Sequence, residues 1–247
     1  MREPLIVISL DRTPERFQRF VDLNKGVKIQ RFRAIDGTKL RKDACIRQGL
    51  ITADNTYNPG ALGVALSHVM LWRDCAAGTE QYHIAEDDVV LRADFWKCAS
   101  DLLQRNSDWD IVLWSHNFDW PVMVAPGDGV WAAAIQYLQP KSNFGLEQFR
   151  GADRPSILLP LISSAGIGCY SISPSGAARM LSDCLPIGAA KPPYVLNPSM
   201  GWENSGIDVE MSRHYSRHHA YIAIPPIALA PNDHSLSTIR GASANSH

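Results

Sequence analysis

Three consecutive carboxylates, Glu86-Asp87-Asp88, directly follow the apolar segment Tyr82 to Ala85. A strand turns successive side chains to opposite faces, so this register predicts Glu86 and Asp88 on one face and Asp87 on the other. Two like charges held that close repel, and a hard divalent cation such as Mn²⁺ or Mg²⁺ relieves the repulsion through oxygen ligands. A solvated acidic turn is the plainer reading of the same residues. Other stretches carry polar groups where chemistry would need them. Ser9 to Arg16 ends an apolar run with Arg12 and Arg16, where a nucleotide could meet a helix N-terminus; capped-helix surface arginines are the alternative. Asp36-Gly37 closes a second run and reads alone as a turn. Ser67-His68 interrupts an apolar helical stretch, where a satisfied core histidine is the usual explanation. Asp208 opens a short helical segment, as a cap or as a base. His234 lies in the polar run 231–238, where exposure is the ordinary state of a histidine.

The elements that must position these residues alternate. Leu5 to Leu10 is continuously apolar, as in a strand covered on both faces of a parallel sheet. Thr13 and Pro14 then predict a helix start, with Phe17, Phe20 and Val21 at helical spacing. Val27 to Ile35 reads as a strand, Gly60 to Ala77 as a buried helix, Tyr82 to Ala85 as a strand, Asp94 to Gln104 as a helix and Asp110 to Trp114 as a strand. Residues 116–156 break the pattern with Gly, Pro, Asn and aromatics, and read as an insertion near a binding face with short strands at Val122 to Ala125 and Val130 to Leu138. After an apolar, glycine-dotted stretch from Ile157, Ser173-Pro174 opens a helix through Leu185. Residues 186–206 read as a loop in which Glu203 is the one carboxylate, and Tyr221 to Ile224 as a strand before an irregular tail.

The chain has 247 residues, 45% hydrophobic and 20% charged, enough for one sizeable core and one domain. Its net charge of -1 gives no general attraction to nucleic acid. Five scattered cysteines without a Cys-x-x-Cys pair read as buried free thiols rather than a disulfide framework. No apolar run reaches the roughly 18 residues of a membrane span, so the expectation is a cytoplasmic protein.

The order ISLDRTPER, FRAIDG, GALGVALSHVMLW, IAEDDVVL, GCYSISPSGAARML and GIDVEM resembles glycosyltransferase family 25, which includes bacterial lipooligosaccharide galactosyltransferases and collagen galactosyltransferases. The resemblance spans roughly residues 4 to 240, with the Ser-His helix followed by Glu-Asp-Asp as its most specific part. It implies an α/β fold of GT-A type, a Rossmann-like mixed sheet flanked by helices, as a single domain over 1–240 with a tail at 241–247. It also implies inverting transfer of a hexose, galactose for preference, from a UDP-sugar to a glycan such as lipopolysaccharide or lipooligosaccharide, at the inner face of a membrane if the protein touches one. Carried onto this chain, the donor would contact Leu10, Arg12, Arg16, Asp36, Ser67, His68 and Asp87. Mn²⁺ or Mg²⁺ would sit on Glu86 and Asp88 with His234 completing the shell, and Asp208 would be the base.

One departure concerns the helix start. Many relatives carry Gly-Glu-x-Gly-Cys before the Ser-His pair, where this chain has Gly60-Ala61-Leu62-Gly63-Val64. Residues 116–156 and the proline-rich stretch 192–198 match no part of the family pattern and are the expected acceptor-contacting regions. Two other classes fit parts of the pattern: a non-catalytic sugar-nucleotide or glycan-binding module, and a metal-dependent phosphohydrolase.

Overall fold

The computed structural model describes residues 4–126, 131–137, 145–194 and 197–230. A nine-stranded mixed sheet forms its spine, in the order β2-β1-β3-β9-β5-β12-β8-β6-β7. These strands are β1 (Leu5–Ser9), β2 (Ile29–Arg33), β3 (Tyr82–Glu86), β5 (Ile111–Leu113), β6 (Val122–Val124), β7 (Ala133–Ile135), β8 (Ile157–Ser163), β9 (Cys169–Ile172) and β12 (Ala220–Ile224). β1 runs parallel to both β2 and β3, and β5 runs parallel to β12. β9 lies antiparallel between β3 and β5, which makes the sheet mixed. Two small ribbons stand apart, β4 (Val90–Leu91) with β13 (Ala228–Leu229), and β10 (Pro193–Tyr194) with β11 (Asn197–Gly201).

The alternation of β1 explains the layering. Leu5 and Val7 turn to one face, where they pack with Phe20 of α1 (Pro14–Leu23) and with Phe95, Leu102 and Leu103 of α4 (Phe95–Arg105). Ile6 and Ile8 turn to the other face, into a core shared by α3 (Pro59–Ala77), α6 (Pro174–Cys184) and α7 (Ile207–Ser212). With both faces covered, β1 can be apolar at every position, as expected from its sequence. α3 is enclosed by the sheet and by α6, and its interior stretch from Ala61 to Val69 is buried except at Val64. Asn58 caps it through a side-chain bond from the Ala61 N–H at 2.9 Å, and Ser173 caps α6 in the same way from Gly176 at 3.0 Å.

Two glycines fix how α3 meets the end of β2. A Cβ on Gly37 would lie 1.6 Å from the Pro59 carbonyl oxygen, and one on Gly63 would lie 2.5 Å from that of Ile35. The backbones therefore touch directly, which no larger residue permits. Ser67 completes this contact by accepting the Ile35 N–H at 2.9 Å and donating to the Gly63 carbonyl at 2.7 Å.

Some expected elements differ. α2 (Lys42–Arg47) and α5 (Leu146–Arg150) are short helices with too few turns to show a period. The apolar stretch from Ile157 divides into β8 and β9 at a turn containing Gly166, whose φ is +82°. The 186–206 loop carries the β10–β11 ribbon, hidden by its proline and glycine content. Thr13 occupies the N-cap position of α1, yet its hydroxyl makes no cap bond. Cys45, Cys75, Cys169 and Cys184 are buried free thiols, and Cys98 is half-buried. Among the described residues no helix is long and apolar enough to cross a membrane.

Two buried histidines give stability a pH dependence. His83 of β3 bonds the Ser171 hydroxyl at 2.6 Å, and His116 lies at the carboxyl end of β5; burial pushes both imidazoles down to about 4. The unfolded chain, with an ordinary imidazole near 6.5, binds these protons first as pH falls. Their contribution is complete above about pH 6.5 and is lost toward pH 4, at up to about 1.4 kcal/mol per unit for each histidine. Urea unfolding of wild type and His83→Gln across pH 7.5 to 4 isolates one of them, since other groups cancel in the difference. The stability difference should shrink as pH falls through this window, and a constant difference would contradict a neutral buried His83.

Candidate active site

The carboxyl ends of β1 and β3 open into a cleft of about 200 Å³. It is lined by Leu10, Thr13 and Arg16, by Glu86, Asp87 and Asp88, and by Asn117, Gly166 and Asp208. Ligand sites of open α/β sheets lie at this edge because strand ends and helix starts present unpaired polar groups there.

All three members of the acidic triplet face this cleft, which corrects the expected division of Asp87 from its neighbours. The strand ends at Glu86, and residues 87 and 88 lie in a turn, so the two-residue alternation does not reach them. Asp87 is buried against Arg16, whose Nε donates to its Oδ1 at 2.8 Å. The same guanidinium reaches Asp88 Oδ2 at 3.4 Å. Burial of its carboxyl and the neighbouring charge of Glu86 raise Asp88 above the usual carboxylate range, against the pull of Arg16. Its side chain still keeps 43% of its surface open, so an incoming cation or ligand can reach it.

His68 is fully buried and reaches the cleft through Glu86. The Trp72 Nε1–H donates to the Tyr170 hydroxyl at 2.9 Å, and that hydroxyl lies 2.8 Å from His68 Nδ1. Tyr170 needs an acceptor for its own proton, so Nδ1 accepts it and Nε2 keeps the imidazole hydrogen, directed at Glu86 Oε1 3.5 Å away. His68 therefore orients Glu86, and Ser67, also fully buried, ties α3 to β2. Neither lines the cleft as an expected donor contact would, because α3 turns this face into the core.

Also lining the cleft, Asp208 accepts the Gly166 N–H through Oδ2 at 2.9 Å. The N-cap position belongs to Gly206, so the carboxylate is not the cap of α7. Burial raises its carboxyl above the usual range, outweighing the Gly166 and Val209 N–H bonds, and Glu86 adds to the rise. Beyond Leu10 the cleft continues along a shallow channel to Arg12 and Asp36. Thr38 holds Asp36 there through its hydroxyl at 2.7 Å, which lowers the carboxyl, and Arg12 stands 3.8 Å away. Leu10, Arg12, Arg16, Asp36 and Asp87 thus share one continuous surface with Glu86, Asp88 and Asp208.

Glu203 points elsewhere, exposed and paired with Lys191. His234 lies outside the described residues. Ala61, at the position of the family glutamate, lines the cleft with a methyl group. Sequence reasoning missed Tyr170, Trp72 and Asn117, whose roles come from contacts between distant elements.

The sequence profile described as "Glycosyltransferase family 25 (LPS biosynthesis protein)" matches residues 2–190, taking in every motif of the cleft except Asp208. The chain belongs to glycosyltransferase family 25. As a glycosyltransferase it must bind a sugar donor and an acceptor. None of the curated proteins compared with it matches. Among solved structures, that titled "Crystal Structure of A197 from STIV" is similar at 12% identity and a TM-score of 0.35, over 90% of this chain and 81% of that one. A second, the crystal structure of a mannose-1-phosphate geranyltransferase from Thermus thermophilus, is similar at 12% identity and a TM-score of 0.36, over 91% of this chain and 58% of that one. Both likenesses are too slight to carry function across.

The relay through His68 makes a testable demand. Tyr170→Phe removes the acceptor of the Trp72 N–H and the donor to Nδ1 while keeping the ring, so Glu86 loses its fixed partner. The glycosyltransfer rate should fall about ten- to hundredfold, in the range of outer partners of metal-binding groups. A full rate in a folded variant would show that His68 only fills space.

Proposed function

We propose that this glycosyltransferase moves a hexose, galactose for preference, from a UDP-sugar to a hydroxyl of a glycan such as lipopolysaccharide or lipooligosaccharide, with inversion and with Mn²⁺ or Mg²⁺ bound. The observation that carries this reading is the charge of the cleft. Among the described residues lining it, four carboxylates stand against one guanidinium. Such a set repels a diphosphate unless a cation comes with it, and its ligands are the hard oxygens that Mn²⁺ and Mg²⁺ prefer. Among the described residues no three such side chains converge as a preformed cage. Glu86 and Asp88 would hold the ion as a pair, leaving positions for diphosphate oxygens, while Asp87 stays with Arg16. When bound, the ion supplies Lewis-acid stabilisation of the departing diphosphate.

The chain's own groups support the rest of the arrangement, which the reading takes as GT-A type. Thr13, at the start of α1, has a buried hydroxyl without a partner among the described residues. A diphosphate oxygen would satisfy it. The channel from Leu10 to Asp36 and Arg12 would then take the ribose and uracil, with the fixed Asp36 carboxylate accepting from a ribose hydroxyl. Asp208 lines the same cleft as the triplet and would be the base on the acceptor side, opposite the leaving group. Its raised affinity for protons makes it a stronger base than an exposed aspartate.

Asp208→Asn tests this division of labour, since an amide oxygen can still accept the Gly166 N–H. Transfer should slow by about two to four orders of magnitude with UDP affinity and melting temperature unchanged. A rate near wild type would remove Asp208 from the chemistry, and a matching loss of UDP affinity would make it a donor contact.

A further inference from the structure

The segment Gly166-Ile167-Gly168 lines the cleft at all three residues and ties together two of its carboxylates. Asp208 accepts the Gly166 N–H, and the Glu86 N–H donates to the Gly168 carbonyl at 2.8 Å. The two glycines are two residues apart, so their Cα atoms are separated by at most about 7 Å, the scale of one pyranose ring. With the cation and diphosphate toward Glu86 and the base toward Asp208, the hexose in transfer lies along this segment.

Asn117 stands at the Asp208 end. Its N–H donates to the Ala165 carbonyl at 2.9 Å, which fixes its backbone beside the segment. Its side chain rests on Gly166, where a Cβ would lie 2.4 Å from Asn117 Oδ1 and 2.7 Å from its Cγ. Gly166 also has a φ of +82°, so the residue that gives its N–H to Asp208 leaves room for the carboxamide as well. Asn117 is half-buried and lines the cleft, and among the described residues its carboxamide has no hydrogen-bond partner. Among the described lining residues only Thr13 and Asn117 carry uncharged polar side chains, and Thr13 stands at the start of α1.

A sugar hydroxyl both donates and accepts, and a carboxamide answers both needs whichever way its amide is turned. We propose that Asn117, seated on Gly166, hydrogen-bonds a ring hydroxyl of the transferred hexose and so contributes to the choice of donor sugar. This assignment rests on the glycosyl-transfer reading, with Glu86 toward the diphosphate and Asp208 toward the acceptor.

Calorimetry with UDP, UDP-galactose and UDP-glucose, each with Mn²⁺, tests it on wild type, Asn117→Ala and Asn117→Leu. The leucine variant keeps the bulk over Gly166 and removes only the hydrogen-bonding groups. Wild type should bind UDP and at least one of the two UDP-hexoses. Both variants should bind that UDP-hexose roughly three- to tenfold more weakly, as for one lost hydrogen bond, and bind UDP within about twofold of wild type. UDP-hexose affinity that ignores both substitutions, or wild type that binds UDP but neither UDP-hexose, overturns the assignment and leaves the nucleotide reading standing. An equal loss for UDP and UDP-hexose also overturns it, since Asn117 would then serve the nucleotide or the fold. Wild type that binds none of the three defeats the donor reading itself, and the assignment with it.

Discussion

The mutual repulsion of the carboxylates at the end of β3 is the constraint on which the rest of the structure turns. Glu86, Asp87 and Asp88 are consecutive, and Asp208 lines the same cleft. One of the three is neutralised from within the fold, because Arg16 on the first helix closes on Asp87. Without that pair, a buried carboxylate would stand alone, at a cost of several kcal/mol. Burial, with the charge of Glu86 adding to it, raises the carboxyls of Asp88 and Asp208. On the proposed reading, a cation arriving with a diphosphate would relieve this repulsion.

The surrounding architecture holds these groups in place. β1 and β3 are adjacent and parallel, so their carboxyl ends bring the start of α1 and the acidic triplet to the same edge. α3 supports the site from beneath. Its backbone contact at Gly37 and Gly63 lets Ser67 bridge to β2, and one residue later His68 meets Tyr170 and Glu86. The glycine-rich helix start and the buried Ser-His pair therefore serve one purpose, fixing the end of β3 against the end of β2. Across the cleft, Gly166 adopts a positive φ and offers its N–H to Asp208, linking the turn before β9 to the start of α7.

Much of this was legible in the sequence where a local rule applies. The apolar run at Leu5, the helix over 59–77 and the Ser173-Pro174 start are set by burial and capping, which neighbouring residues encode. The alternation rule failed at Asp87 because the strand stops one residue earlier, a boundary that depends on the turn into β4. Thr13 carries a cap signature, but its buried hydroxyl makes no cap bond. The sense of His68 could not be read locally, since its partner Tyr170 is about a hundred residues away on an antiparallel strand. The stacking of Trp120 on Trp202 joins two irregular segments without a period, so only the fold reveals it.

If the acidic triplet is balanced by a cation that accompanies the diphosphate, nucleotide binding and metal binding are thermodynamically linked. UDP calorimetry on wild type and Asp88→Asn, each with Mn²⁺ and with excess chelator, measures that linkage directly. The account predicts that wild type binds UDP at least about tenfold more tightly with Mn²⁺, a coupling of about 1.4 kcal/mol or more, and that Asp88→Asn loses most of this difference while remaining folded. Equal UDP affinity in wild type with and without the metal would contradict it.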